Sequence, residues 1–238
     1  MYISRWMLDQ KTIPLFPLSL FLLKGEQFKL HIFEPRYLQL IDELPTESPT
    51  FGILYNDPDN NKKFGTVVQL VNVDKDYPEG KKDITVETVG HFKLNKFFKK
   101  LVGKLYPAGN VTFIKKNLNK IIRNEKILFH FKDYLKTKLN VKTLSSIAPI
   151  SYEEMIINHL KLDSSEKYIV FHLDSDALDN FIIEELNYLK LLWRQEHQTQ
   201  RGVYLNWLRS ANSKSRAFLK KDILPDNEIR SNYSAEII

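Results

Sequence analysis

Gln27-Phe28-Lys29-Leu30-His31-Ile32-Phe33-Glu34-Pro35-Arg36-Tyr37 is the stretch on which the reading of this 238-residue chain turns. Up to Phe33 it alternates, with Phe28, Leu30 and Ile32 on one face and Lys29 and His31 on the other, the period of a half-buried strand. At Pro35 the period changes. Proline suits a first helical position, and Tyr37, Leu40, Ile41 and Leu44 follow at helical spacing until Pro45 ends the segment. Upstream, Pro14 and Pro17 predict an extended opening strand whose Leu15, Phe16 and Leu18 fill a sheet core. Downstream, strand-like runs occupy Phe51–Tyr55, Phe64–Val73, Lys82–Val89, Phe92–Phe98, Leu101–Tyr106 and Asn110–Ile114. Turn chemistry separates them at Asn56–Asn60, Pro78-Glu79-Gly80 and Gly103. Many short strands at this spacing predict a curled antiparallel sheet or small barrel with one inserted helix.

After Asn117 the period becomes 3.6. Ile121, Ile122, Leu128, Phe129, Leu135 and Leu139 share a helix face. Ser151 with Glu154, and Asp163 with Glu166, have the spacing of capping boxes. Asp174–Asp176 opens a long helix carrying Leu178, Phe181, Ile182, Leu186, Leu189 and Leu192. The expected fold is therefore α+β, with a β-rich part at 1–116, a helical bundle at 117–209 and a polar, basic tail at 210–238.

Composition removes whole classes of function. With no cysteine, disulfide scaffolds, cysteine-based zinc sites, iron–sulfur centres and thiol nucleophiles are absent. A chain that is 43% hydrophobic is not intrinsically disordered. No apolar run reaches the ~18 residues of a membrane-spanning helix, and Ile13–Leu23 lacks the flanks of a signal peptide; a soluble, cytoplasmic protein is expected. The net charge of +6 is unevenly spread: residues 91–142 hold 14 Lys/Arg against 2 acids, whereas each flank has a balance of −3. Such a segment attracts nucleic acid, acidic protein or lipid headgroups, although lysines also line solvated strand edges.

Motifs for catalysis are missing. There is no G-x-G-x-x-G, no G-x-S-x-G and no complete phosphate loop. The six histidines form no H-x-x-x-H or H-x-H pair, so neither metal nor cofactor is expected. Ser164 to Lys167 spells S-x-x-K, but it coincides with a helix start and has no partner motif.

The specific signal is elsewhere. Ile13-Pro14-Leu15-Phe16-Pro17-Leu18, Gly25 and the block His31–Tyr37 are followed in order by Phe51-Gly52-Ile53-Leu54, Gly65-Thr66-Val67 and Val86–Phe92. The series resembles the signature of the Lon protease N-terminal, substrate-binding domain, over roughly residues 12 to 197. Lys24 departs from the frequent proline and His91 from the frequent arginine. The chain runs only about forty residues beyond the match, so a stand-alone Lon-like domain without ATPase or peptidase modules is expected, and no peptidase activity is carried over. The resemblance implies that Pro14, Phe16, Pro17, His31, Phe33, Glu34, Pro35 and Tyr37 are structural, with the Glu34 carboxylate favouring the helix start. Arg36 is expected to pair with a carboxylate such as Glu87 and so brace helix to sheet, its replacement then costing several degrees of melting temperature; its other role is as a surface anchor.

The resemblance also implies recognition of exposed segments of unfolded or tagged polypeptide, as a proteolysis adaptor or a holdase. Arg36, Phe97, Phe98, Trp193, Tyr204 and Trp207 are the candidate contact residues, with core packing the other use of each aromatic. Two further functions stay open: a scaffold that docks one folded partner, and nucleic-acid binding through 93–142.

Overall fold

The structure, a computed structural model, describes residues 11–56, 63–139, 141–144 and 146–198. Strands β1 (Lys11–Leu18), β2 (Gln27–Ile32), β3 (Thr50–Tyr55), β4 (Phe64–Asp76), β5 (Lys82–Phe98) and β6 (Ala108–Ile114) form a sheet in the order β2-β5-β4-β3-β1-β6. β5 also pairs with β6, which closes five of the strands into a small barrel and leaves β2 outside it. His91, Phe92 and Lys93 pair with β4 and β6 at once, so β6 takes over the edge of β5 along which β2 runs at Lys82–Glu87.

Two expectations are corrected here. Lys82–Val89 and Phe92–Phe98 are one strand, because the ladder with β4 passes Gly90 with only a one-residue bulge at Val89; and Leu101–Tyr106 is a turn-bearing loop, not a strand. The sheet is also mixed, since β1 and β3 are parallel. The connection between them runs through β2 and helix α1 (Pro35–Asp42), long enough for the crossover that a parallel pair requires.

Both faces of the central strands are buried. The barrel interior holds Leu15, Leu54, Phe92 and Val111, with Ile13, Val67, Leu94 and Phe113 around them. The opposite face presents Phe16, Leu30, Ile32, Phe51, Ile53, Val68, Ile84 and Val86 to Tyr37, Leu40 and Ile41 of α1. Phe16 stacks on Tyr37 with ring centroids 3.8 Å apart, which joins the opening strand to the helix. The interior has room for a phenyl ring because Gly52, Gly65 and Gly109 carry no side chain. A Cβ on Gly65 would lie 2.3 Å from Phe92 Cζ and 2.4 Å from the Ile53 carbonyl oxygen.

The helices fall into two groups. By packing, one compact unit combines the described residues up to Ile122 with Pro149–Leu173, and the other combines Arg123–Ala148 with the described residues from Asp174 on. A boundary at 116/117 follows the change from strand to helix, whereas the packed units are discontinuous in sequence. In the first unit, α3 (Tyr152–Met155) runs into a π-helical turn (Ile156–Leu160), then α4 (Ser164–His172) follows. Ser151 Oγ accepts the Glu154 amide at 3.1 Å. At Asp163 and Glu166 both halves of the capping box are made. Helix α4 seats through an aromatic cluster of Phe21, Tyr55, Phe64, His91, Tyr168, Phe171 and His172. Lys167 closes the contact with a half-buried ion pair to Glu26.

In the second unit, α2 (Glu125–Leu139) packs on α5 (Ser175–Gln198). Helix α2 begins later than Ile121 because the Asn124 side chain caps it, accepting the Lys126 amide at 3.0 Å. Asn124–Asp179, His130–Asn187 and Lys190–Asp133 contacts at 2.7–2.9 Å set its register against α5.

His91 is 6% exposed and its Nε2–H donates to the Leu22 carbonyl at 2.8 Å. Burial pushes its pKa from 6.5 down to about 4, with Lys24 and His172 adding smaller repulsion. The unfolded chain therefore binds this proton more readily, so the stabilisation is complete above pH 6.5 and is lost as the pH falls towards 4. It amounts to about 3 kcal/mol. We expect the unfolding free energy to fall between pH 7 and pH 4.5, and His91→Phe, less stable at pH 7, to show a smaller fall in urea titrations at the two pH values. Gly65→Ala should cost about 2 kcal/mol or more, while Gly90→Ala, whose Cβ meets nothing within 4 Å, should stay within about 0.5 kcal/mol. Equal midpoints for the two glycine variants would contradict the tight fit around Phe92.

Candidate functional site

The chain leaves β5 at Phe98, turns, and enters β6 at Ala108. In between, the Lys104 amide donates to the Leu101 carbonyl at 2.9 Å and Gly103 has φ +74°, a tight turn with glycine where positive φ is needed. This turn lifts Val102 into solvent at its tip. The rest of the loop is fastened. Leu101 packs against the α1-side core, and its amide donates to the Tyr106 carbonyl at 3.0 Å. The Leu105 amide donates to Gln39 Oε1 of α1 at 2.9 Å. Glu43, just past α1, accepts from Lys104 Nζ and from the Tyr106 hydroxyl, both at 2.8 Å. These donors hold the Glu43 carboxyl below the usual carboxylate range. Burial and the Glu43 contact push the Tyr106 hydroxyl up to about 12.

On this fixed backbone, Val102 is 95% exposed, Leu105 50% and Phe97 43%. Apolar side chains normally leave the surface when the chain can bury them, and here the anchors prevent it. Lys93, Lys96, Lys99 and Lys100 are exposed and make no ion pair among the described residues. Lys96 Nζ stands over the Phe98 ring, 5.3 Å from its centroid. From Thr88 to Asn124 the sequence contains no Asp or Glu.

Of the residues singled out from sequence, the structure brings Phe97 and Phe98 to the root of this loop. Arg36 lies on the α1 face that carries Gln39 and Glu43, one turn earlier. It does not reach Glu87, which accepts from Gln27 at 3.0 Å. Its Nε and Nη2 donate to Glu34 at 2.9 and 2.7 Å, and its guanidinium sits 4.6 Å from the Tyr37 ring centroid. The near carboxylate won because it needs only two residues of chain to meet the arginine. For the same reason Glu34 makes no side-chain cap on α1. Trp193 is half-buried in the second unit, beside Tyr134. Tyr204 and Trp207 lie outside the described residues. Val102 and Leu105 were missed because Leu101–Tyr106 reads as a strand, although Gly103 already marked the turn.

Phe28 on β2, Phe33 just past it, and Val71 and Val73 on β4 are exposed as well. His31 Nδ1 meets Asp83 at 2.6 Å and the Tyr77 hydroxyl donates to Asp83 at 2.7 Å. Both contacts lower the Asp83 pKa. His31 and Asp83 are cross-strand partners of β2 and β5, so the contact ties the two strands. The lysine of the S-x-x-K sequence, Lys167, is held by Glu26. Among the described residues no group of three or more His, Asp or Glu could hold a metal ion. No helix there is long and apolar enough to cross a membrane.

A closed β-barrel with a helical second half defines a small α+β domain. The chain belongs to the family of the ATP-dependent protease La (LON) substrate-binding domain, whose sequence model matches residues 12–194. That region is the substrate-binding part of the protease, not its peptidase. The solved structure of a Lon N-terminal domain protein from Xanthomonas campestris is 19% identical, superposes with a TM-score of 0.51, and aligns over 69% of this chain and 91% of its own. The N-terminal domain of Mycobacterium avium complex Lon protease is 13% identical, with a TM-score of 0.49 over 79% of this chain and all of its own. No curated protein matches the chain.

The Arg36 geometry revises its expected contribution. An exposed pair with Glu34 is worth about 0–1 kcal/mol, so Arg36→Ala should move the melting temperature by less than about 2 °C. A loss of several degrees in differential scanning calorimetry would restore the brace to a structural role.

Proposed function

We propose that this protein captures unfolded or tagged polypeptide segments without cleaving them, acting as an adaptor to a protease or as a holdase, and that the Phe97–Leu105 loop is a contact surface. The family supports a substrate-recognition role in general. The single observation that supports this particular surface is the exposure of Val102, Leu105 and Phe97 on a loop whose backbone is fixed to α1. A preformed apolar surface binds a flexible chain without the cost of ordering itself, and only the ligand loses conformational freedom. Arg36, on the α1 face that carries Gln39 and Glu43, would offer a ligand oxygen only the N–H groups that Glu34 leaves over.

Burial of apolar area is insensitive to moderate salt, whereas phosphate contacts weaken steeply with it. A labelled, permanently unfolded polypeptide should therefore give saturable fluorescence anisotropy that persists at moderate salt. Val102→Ser combined with Leu105→Ser should weaken it by about tenfold, as burial of one or two aliphatic side chains implies. Binding of single-stranded DNA that collapses with salt, in place of polypeptide binding, would assign the basic 93–142 segment to nucleic acid. Binding to neither probe, with one dominant folded protein retained on the immobilised chain, would favour the scaffold reading.

A further inference from the structure

The polypeptide reading leaves open which segments are taken, and the charges around the loop bear on that choice. We propose that the Phe97–Leu105 surface selects apolar segments interleaved with acidic residues; the inference rests on the capture function proposed above. The apolar tip at Val102 is two residues from Lys100 and three from Lys99, while Lys96 adjoins Phe97. An extended ligand advances about 3.3 Å per residue. A ligand side chain seated on Val102 thus brings the positions one to three residues away to within roughly 10 Å of the chain at Lys99 and Lys100, comparable with the ~8 Å screening length at physiological ionic strength.

No carboxylate among the described residues neutralises Lys93, Lys96, Lys99 or Lys100, in contrast to Lys82, Lys104 and Lys167, which are paired. The acid-free run from Thr88 to Asn124 supplies none locally. An acidic ligand residue therefore meets an unopposed cation, and a basic one meets repulsion on the same surface. Repulsion of the wrong ligand contributes to selectivity as much as attraction of the right one. The loop anchors sharpen this, because the tip cannot retreat from a poorly matched chain.

The test uses the full chain and three labelled peptides of equal length and identical apolar residues, with Glu, Gln or Lys at the interleaved positions. The Glu peptide should bind about three- to tenfold more tightly than the Gln peptide at low salt, and the Lys peptide more weakly than both, the spread narrowing as salt is raised. Lys99→Glu with Lys100→Glu should reverse the order; both side chains are exposed and unpaired, and an unchanged melting temperature confirms the fold. Equal affinities for all three peptides would overturn the selectivity while leaving polypeptide capture standing. Absence of binding by any peptide would overturn the capture function itself. Sedimentation with phosphatidylserine vesicles, abolished by the same double substitution while no peptide binds, would assign the surface to anionic lipid and overturn the proposal.

Discussion

The Phe92 ring fills the barrel only because three strands present glycine to it or to its neighbours. Gly52 and Gly65 face the ring, and Gly109 faces Leu15 and Leu94 beside it. That fit decides how closely β1, β3, β4 and β6 approach β5, and so whether the sheet closes at all. Closure in turn fixes where β5 ends and β6 begins, and hence the position of the loop between them. The exposed surface inherits its geometry from an interior that leaves no slack for another methyl group.

Most exposed loops trade order for reach. This one is held by a small set of polar contacts, Gln39 to the Leu105 amide and Glu43 to Lys104 and Tyr106, all reaching from or just past one helix. The same helix buries Tyr37, Leu40 and Ile41 against the sheet. A single eight-residue element therefore serves both sides, its apolar stripe closing the core and its polar stripe presenting the loop. The stacked pair Phe16 and Tyr37 makes that arrangement continuous with the opening strand.

What the sequence disclosed was local, and what it concealed was long-range. The switch at Pro35 and the cap at Asp163 with Glu166 are written within a few residues, and each is found in place; the face read after Asn117 is not, since α2 starts only at Glu125 and buries Ile127, Phe131 and Tyr134 while Ile121, Phe129 and Leu139 are exposed. The parallel pairing of β1 with β3 is set by a crossover that no short window contains. Arg36 was assigned a distant carboxylate when an adjacent one was available. The apolar residues Leu101, Val102, Leu105 and Tyr106 mimic a strand, and only Gly103, with its positive φ, argues otherwise. Helices α3 and α4 share a period with α2 and α5, yet their apolar faces belong to the sheet. Periodicity reports that a face is buried but not against what. The family resemblance, carried by His31–Tyr37 and its companions, conveyed the fold beyond what periods alone could give.

The ion pair between Lys167 and Glu26 spans 141 residues of chain, and the aromatic cluster around His91 is likewise completed only by Tyr168, Phe171 and His172. Between these points the chain departs to form α2 of the other unit and returns. During synthesis, then, all six strands leave the ribosome well before the helix that covers Phe21 and His91 has been made. For that interval the nascent barrel displays an uncovered aromatic wall, and the loop-closure entropy of a long excursion must be met before the wall is sealed. A member of a substrate-binding family thus passes through a stage in which it exposes apolar surface of its own, as a client of the chaperones that meet emerging chains does.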